Sequence, residues 1–147
     1  MQTITGEEVI ARPVETVWAY VADPRRERDW FAAAVGRELL TDEPLGKGSR
    51  FRRVDRFLGK TVDTTFEVTE YDPPNRIGNT VMSGEVSGTD EVLLEAVEGG
   101  TRVAFKAETV GFGGLFGKLA DPVAARMITR VLRSSLANLK ELVEAES

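Results

Sequence analysis

The last part of the chain constrains everything before it. Set out as a helix at about 100° per residue, the stretch from about Leu119 to Glu144 puts Ala124, Met127, Ile128, Val131, Leu132, Ser135, Leu139 and Leu142 on one continuous arc. Arg126, Arg130, Arg133, Ala137, Lys140, Glu141 and Glu144 fall opposite. The spacing predicts an amphipathic helix of about seven turns, long for a domain of this size. A helix with one apolar stripe needs a surface to bury it against. The rest of the chain supplies strands, and a sheet of strands can curl around a helix.

Met1 to Ala11 reads as a strand with Ile4, Val9 and Ile10 as its apolar positions. Val14, Val17, Trp18 and Val21 then follow at helical spacing, so residues 13–22 form a short helix with Pro13 at its first position. Asp23-Pro24 breaks it, and Asp23 can cap a second short helix running to about Trp30. From there the pattern is strand and turn. Strands are predicted over 35–41, 49–58, 61–71, 76–82, 86–97 and 101–110, separated by clusters such as Asp72-Pro73-Pro74-Asn75 and Glu98-Gly99-Gly100. In the second of these Phe51, Arg53, Asp55 and Phe57 share a face. In the third, Val62, Thr64, Phe66 and Val68 do. Asp90, Val92, Leu94 and Ala96 line up in the fifth, and Val103, Phe105 and Ala107 in the sixth. For residues 35–41 the two faces compete: Val35, Arg37 and Leu39 against Gly36, Glu38 and Leu40. Six consecutive strands with short turns make an antiparallel meander, dry on the side the helix covers and wet on the other.

Composition removes whole classes of chemistry. Among 147 residues there is no cysteine and no histidine. Disulfides, thiolate nucleophiles, Ser-His-Asp triads, imidazole bases and zinc sites built on His or Cys are therefore excluded. Proton transfer would rest on Asp55, Asp90, Tyr20, Tyr71 or Arg53. No metal site and no cofactor is expected. A net charge of -5 disfavours nucleic acid and anionic membranes as partners. No apolar run approaches the roughly 18 residues of a membrane span, and the N-terminus lacks the pattern of a secretion signal. The expectation is a single cytoplasmic domain over residues 1–147, monomeric or homodimeric.

Several side chains stand out against this frame. Arg53 and Asp55 sit between Phe51 and Phe57 on one strand face. Either that polar middle faces water, or it is a charge pair in a cavity wall. In the second case the two pair with each other, with Asp90 or with a ligand, because unpaired buried charge is costly. Asp90 lies near the start of its strand and reads as a rim position. Ser135 lies inside the apolar arc of the helix and Asn138 at its border. Ser135 either bonds back to its own helix at a close contact with the sheet, or lines a cavity. Met127 is core filler or an adaptable pocket contact. The glycine-rich run Gly111 to Gly117 fits neither a Walker nor a dinucleotide pattern; it reads as a connector, or as a flap at a cavity mouth. Pro122 either kinks the long helix or marks its start, with Asp121 as cap.

The order strand, two short helices, six strands, long helix resembles the START-like (SRPBCC) superfamily, and within it the polyketide cyclase/dehydrase and lipid-transport group. The resemblance is carried by Pro13-Val14-Glu15-Thr16-Val17-Trp18, Asp23, Trp30, Gly46-Lys47-Gly48-Ser49-Arg50-Phe51, Glu67 to Pro74, Gly100-Thr101-Arg102-Val103 and Leu139 to Glu144. It implies an α+β helix-grip fold: a curved seven-stranded antiparallel sheet around a long C-terminal helix, two short helices after strand 1, and an internal cavity. It also implies that Trp30 and Phe31 border the cavity entrance. The expected ligand is a small hydrophobic molecule, such as a lipid or a polyketide-like or other aromatic compound. Its expected contacts are Trp30, Phe31, Arg53, Phe66, Val92, Phe105, Met127, Val131 and Ser135. An enzyme of cyclase/dehydratase type working through Asp55, Arg53 or Asp90 is the alternative, and a non-catalytic accessory or stress-related protein is a third. The fold alone does not choose among them.

Overall fold

A computed structural model describes residues 2–57, 59–84, 86–112 and 121–146. Strand β1 (Gln2–Ile10) leads into helix α1 (Val14–Val21) and a 3-10 turn (Pro24–Asp29). Then come β2 (Ala34–Leu39), β3 (Arg50–Phe57), β4 (Lys60–Asp72), β5 (Arg76–Gly84), β6 (Val86–Val97), β7 (Gly100–Phe112) and helix α2 (Asp121–Ala145). The seven strands form one antiparallel sheet in the order β1-β7-β6-β5-β4-β3-β2. The meander thus runs from β2 to β7, and β1 closes onto its far edge. This is the expected helix-grip architecture.

Local chemistry accounts for the boundaries. Pro13 is the N-cap of α1 rather than its first residue, since its extended ψ of 154° cannot be helical. Asp23 caps the following turn, its carboxylate accepting the Arg25 N–H at 3.0 Å. The turn is 3-10 rather than α-helical and spans six residues. Pro122 falls at the second residue of α2, so it marks the start of the helix rather than a kink. In the β6–β7 hairpin, a Cβ on Gly100 would collide with the Ile10 carbonyl, which leaves glycine as the one residue that fits.

The strand faces follow the alternation. Phe51, Asp55, Val62, Thr64, Phe66, Val68, Leu94 and Val103 are buried, with Phe51 and Phe66 directly opposed and stacked 5.4 Å apart. The undecided strand β2 is settled by a bulge between Ala34 and Gly36. Val35 is pushed out to solvent, and Arg37 and Leu39 turn inward, opposite Arg53 and Phe51.

Helix α2 differs from expectation in its roll. Its buried residues are Leu132, Ser135, Leu136, Leu139 and Val143, whereas Met127, Ile128, Val131 and Leu142 are half-buried. The dry stripe is thus turned by roughly 60° from the arc predicted at 100° per residue. The cause lies on β1. Gly6 has no side chain, and a Cβ there would meet Leu132 at 3.0 Å and Leu136 at 3.1 Å. Glycine lets the helix lean onto β1, which brings Leu136 and Val143 into the stripe and leaves Leu132 and Leu139 at its centre. Two apolar clusters result. One joins Ile4, Ile10, Val17, Tyr20, Trp30, Leu94 and Val103 to the helix. The other, Phe51, Phe66, Val68 and Ile77, lies on the sheet beyond the helix.

Candidate functional site

Between those clusters the interior is hollow. A cavity of about 110 Å3 is walled by Phe31, Phe57, Val62, Val81, Phe105, Ala107, Ile128 and Leu132, with Arg53, Asp55, Thr64 and Asp90 as its principal polar groups. One water needs roughly 10–15 Å3 of such space, so the cavity is large enough for several waters or a ring-sized apolar molecule. A second chamber of about 40 Å3 shares Phe31, Arg53, Asp55, Asp90 and Phe105 with the first, and adds Glu27, Trp30, Arg37, Asn79 and Val92. The two spaces have a common wall, and that wall carries the charge.

The register of the sheet builds the wall. Arg37 on β2, Arg53 on β3 and Thr64 on β4 stand side by side in one cross-strand row. Two adjacent guanidiniums are tolerated because they reach in different directions. Arg37, with its side chain 1% exposed, donates from Nε to Glu27 at 3.1 Å and from Nη1 to the carbonyls of Gly36 and Val54. Its Nη2 lies 2.9 Å from Asp55 Oδ1, an ion-pair distance without an N–H aimed along it. Arg53 turns to β6: its Nη1 donates to Asp90 Oδ2 at 3.2 Å, and its guanidinium lies 4.2 Å over the Phe66 ring. Asn79, opposite Asp90 in the β5–β6 register, donates to Asp90 Oδ1 at 2.8 Å.

Burial sets the electrostatics. It pushes the Asp55 carboxyl above the usual range; Arg37 and Arg53 counter this and Glu27 adds to it, leaving the value raised. Burial also opposes the charge on Arg53, but Asp90, Glu27 and Asp55 outweigh it and raise the guanidinium pKa, so Arg53 stays charged. The interior therefore holds a fixed cation beside a carboxyl with a heightened affinity for a proton. Those two groups, open to one cavity, can orient a polar substituent and exchange a proton with it.

The predicted residues divide into three sets. Phe31, Arg53, Asp55, Asp90 and Phe105 line both spaces, and Trp30 and Val92 line the smaller one. Asp90, expected at a rim, is an inward-facing partner of Arg53 whose side chain is 11% exposed. It faces in because the alternation that carries Val92 and Leu94 inward extends to the start of the strand. Phe66 is sealed beneath Arg53 and supports it from below. Ser135, Met127 and Val131 line neither space. Ser135 is wholly buried: its Oγ donates to the Val131 carbonyl at 2.7 Å and accepts the Ala32 N–H at 2.8 Å. It pins the 31–33 segment to the helix, and the hollow lies one to two turns nearer the helix start, at Ile128 and Leu132. The roll of α2 leaves Met127 and Val131 on the flank of the dry stripe. Asn138 likewise bonds the Trp30 carbonyl, at 3.3 Å. Tyr20 lies under Arg26 and Tyr71 against Trp18, both outside the two linings. The expected flap at Gly111–Gly117 lies, from residue 113 on, outside the described residues.

Sequence reasoning missed Arg37, Glu27 and Asn79. For Asn79 a signal existed, since Ile77, Asn79 and Val81 alternate on one face and place an amide among apolar neighbours. For Arg37 the alternation left two faces open, and the bulge that settles them is not announced by the residues. Among the described residues no helix is long and apolar enough to cross a membrane.

Comparison with known proteins agrees with this architecture. The chain is 27% identical over 139 residues to the uncharacterized protein Rv1546 of Mycobacterium tuberculosis, covering 92% of this chain and 93% of that one. It is similar in structure to the protein TTHA0849 from Thermus thermophilus, with a TM-score of 0.85, 24% identity and 99% of each chain covered. It is also similar to the Zhui aromatase/cyclase from Streptomyces sp. R1128, with a TM-score of 0.69, 20% identity, and 99% of this chain and 92% of that one covered. Residues 1–144 match the family described as polyketide cyclase/dehydrase and lipid transport. A match across nearly the whole length, on a sheet that grips its terminal helix around a hollow, places the chain in the polyketide cyclase/dehydrase and lipid transport family.

Proposed function

We propose that this protein binds a small, largely apolar molecule in the cavity between its sheet and its C-terminal helix. The observation that carries the reading is the lining: a space of about 110 Å3 walled mainly by aromatic and aliphatic side chains, with its charged groups Arg53, Asp55 and Asp90 all shared with the smaller chamber. Pockets that hold small molecules combine such apolar walls with a few convergent polar groups. Phe31, Phe105, Ile128 and Leu132 supply contact area for a ring, and Arg53 and Asp90 supply its orientation. Native mass spectrometry of protein purified from its host tests this directly, with a co-purifying hydrophobic compound as the expected result. Ile128→Trp fills the cavity and is expected to abolish uptake of apolar fluorescent probes while the fold is kept. Undiminished uptake by that variant would move the binding site elsewhere.

One observation favours a second reading, an enzyme of cyclase or dehydratase type. Asp55 combines a raised proton affinity with a place in the cavity wall. Held next to a bound polyketone, it would transfer a proton while the cavity keeps a flexible chain in reactive shape. Asp55→Asn is then expected to stop turnover of such a substrate while leaving its binding within a few-fold. Equal turnover by the variant would leave binding as the whole function.

A further inference from the structure

We propose that the smaller chamber is an anchor for an uncharged hydroxyl group, phenolic or enolic, so that the ligand is a hydroxylated aromatic rather than a free carboxylic acid. This rests on the cavity reading above and gives it a chemical selectivity.

Three buried polar atoms on residues lining the chamber have no hydrogen-bond partner among the described residues: Trp30 Nε1, Arg53 Nε and Asn79 Oδ1. A fourth, Asp55 Oδ1, is already met by the Arg37 charge at 2.9 Å. Leaving a buried polar atom unpaired is costly, so three on residues that line one small space mark a place built for something polar. Trp30 is only 4% exposed, which keeps its N–H from solvent. The amide of Asn79 is fixed by chemistry, because only its nitrogen can donate to Asp90 Oδ1, 2.8 Å away. Its oxygen is therefore the acceptor left without a partner.

The chamber thus offers two N–H donors and, besides the carboxylates, one acceptor. A hydroxyl answers both, accepting from Trp30 or Arg53 and donating to Asn79. A carboxylate has no proton to give Asn79. It would also be a fourth anion beside Glu27, Asp55 and Asp90, facing two guanidiniums of which Arg37 already commits Nε and Nη1 to Glu27 and two backbone carbonyls and sets its Nη2 against Asp55. An ammonium group would leave both donors unanswered. An unsubstituted hydrocarbon would leave all three atoms unpaired. Because Phe31, Arg53, Asp55, Asp90 and Phe105 face both spaces, the ring of a ligand in the larger one presents its substituent to the smaller.

The test uses three probes with one ring system, naphthalene, 2-naphthol and 2-naphthoate, titrated near neutral pH against the intact protein and followed by calorimetry. 2-Naphthol is expected to bind at least roughly tenfold more tightly than either of the others. Trp30→Phe removes one donor while keeping an aromatic ring, and Asn79→Val removes the acceptor. Each is expected to shrink the advantage of naphthol over naphthalene to about threefold or less, with naphthalene affinity little changed. Two variants are used so that one folded protein, checked by circular dichroism, suffices. Equal affinity for naphthol and naphthalene would overturn the anchor while leaving the apolar cavity standing, with water as the chamber's occupant. Tightest binding of naphthoate would overturn the charge argument. Failure of all three probes to bind would remove both the anchor and the cavity reading beneath it.

Discussion

The two ends of the interior are built from the same sheet and filled differently. At the β1–β7 end, Ile4, Ile10 and Val103 meet Leu132, Leu136, Leu139 and Val143 in one packed cluster. At the β3–β6 end the sheet offers Arg53, Asp55, Asn79 and Asp90, and the helix does not reach them. Distance to the helix is what separates the two. Gly6 lets α2 lean toward β1, so the far side of the sheet is left without a helical partner. Polar groups persist there because they are bonded to one another across strands rather than to water. The lesson is that the solid end holds the fold and the hollow end is free to specialise.

That contrast can be broken in several ways. The largest effect is expected from Asp90→Ala, which leaves the Arg53 charge and an Asn79 amide buried without their partner. Losing one member of a buried pair costs about 3–5 kcal/mol, read by urea unfolding. Replacing Arg53 and Asp90 together by leucine is expected to recover most of that loss, with the Asn79 amide alone left unpaired, while abolishing discrimination among polar ligands. A double variant as unstable as Asp90→Ala would make the charges structural after all. Leu139→Ala, in the solid end, is expected to cost about 2–5 kcal/mol with probe binding intact in the folded fraction. Loss of binding there would show that the two ends are not independent. Gly6→Val pushes side-chain methyls into Leu132 and Leu136 and is expected to cost about 1–3 kcal/mol and to alter cavity volume, measurable by probe affinity.

Smaller effects refine the picture. Since the Asp55 carboxyl is raised in the folded state, the folded protein binds more protons than the unfolded chain over the window from the ordinary carboxylate value up to the raised one. Asp55 therefore contributes a stability that falls as pH rises through that window. Carboxyl carbon shifts in an NMR titration should show an Asp55 midpoint above the other aspartates, and Asp55→Asn should flatten that part of the stability–pH curve. A midpoint in the ordinary range would remove the basis for proton transfer. The smallest change is expected from Arg52→Ala on the wet face. Its bond to Asp63 is solvent-screened, both side chains being half exposed, so the melting temperature should stay where it is.

Much of this was legible in the sequence, and for identifiable reasons. Alternation alone set Phe51, Val62, Phe66, Leu94 and Val103 inward, because a period of two leaves no other choice once one face is dry. The helix and its wet face were legible from charge, as Arg126, Arg130 and Arg133 are exposed. The roll of that helix was not, since it depends on the absence of a side chain at Gly6, more than a hundred residues away. The same holds at Ser135, where a hydroxyl among aliphatics read equally as a pocket group and as a self-bonded one. Its partner, the Ala32 N–H, is a backbone atom that no residue type announces. Arg53 and Asp55 were recognisable as a pair of interest, but each has a different partner from the other, Asp90 from β6 for Arg53 and Arg37 from β2 for Asp55. Pairings of that kind are set by register, which single-sequence patterns do not carry.

The bulge at Val35 has a reach beyond its own strand. Flatten it with Val35 taken into the ladder, and β2, counted on from Ala34 opposite Asp55, would bring Arg37 round to the solvent face, opposite Arg52 instead of Arg53. Asp55 and Glu27 would then lose their shared counter-ion in a single step. Chains lacking a residue here can run straight and keep the inward arginine. One more residue added beside the present bulge would turn that arginine to solvent, so the length of this short segment acts as a toggle on the inner charge balance.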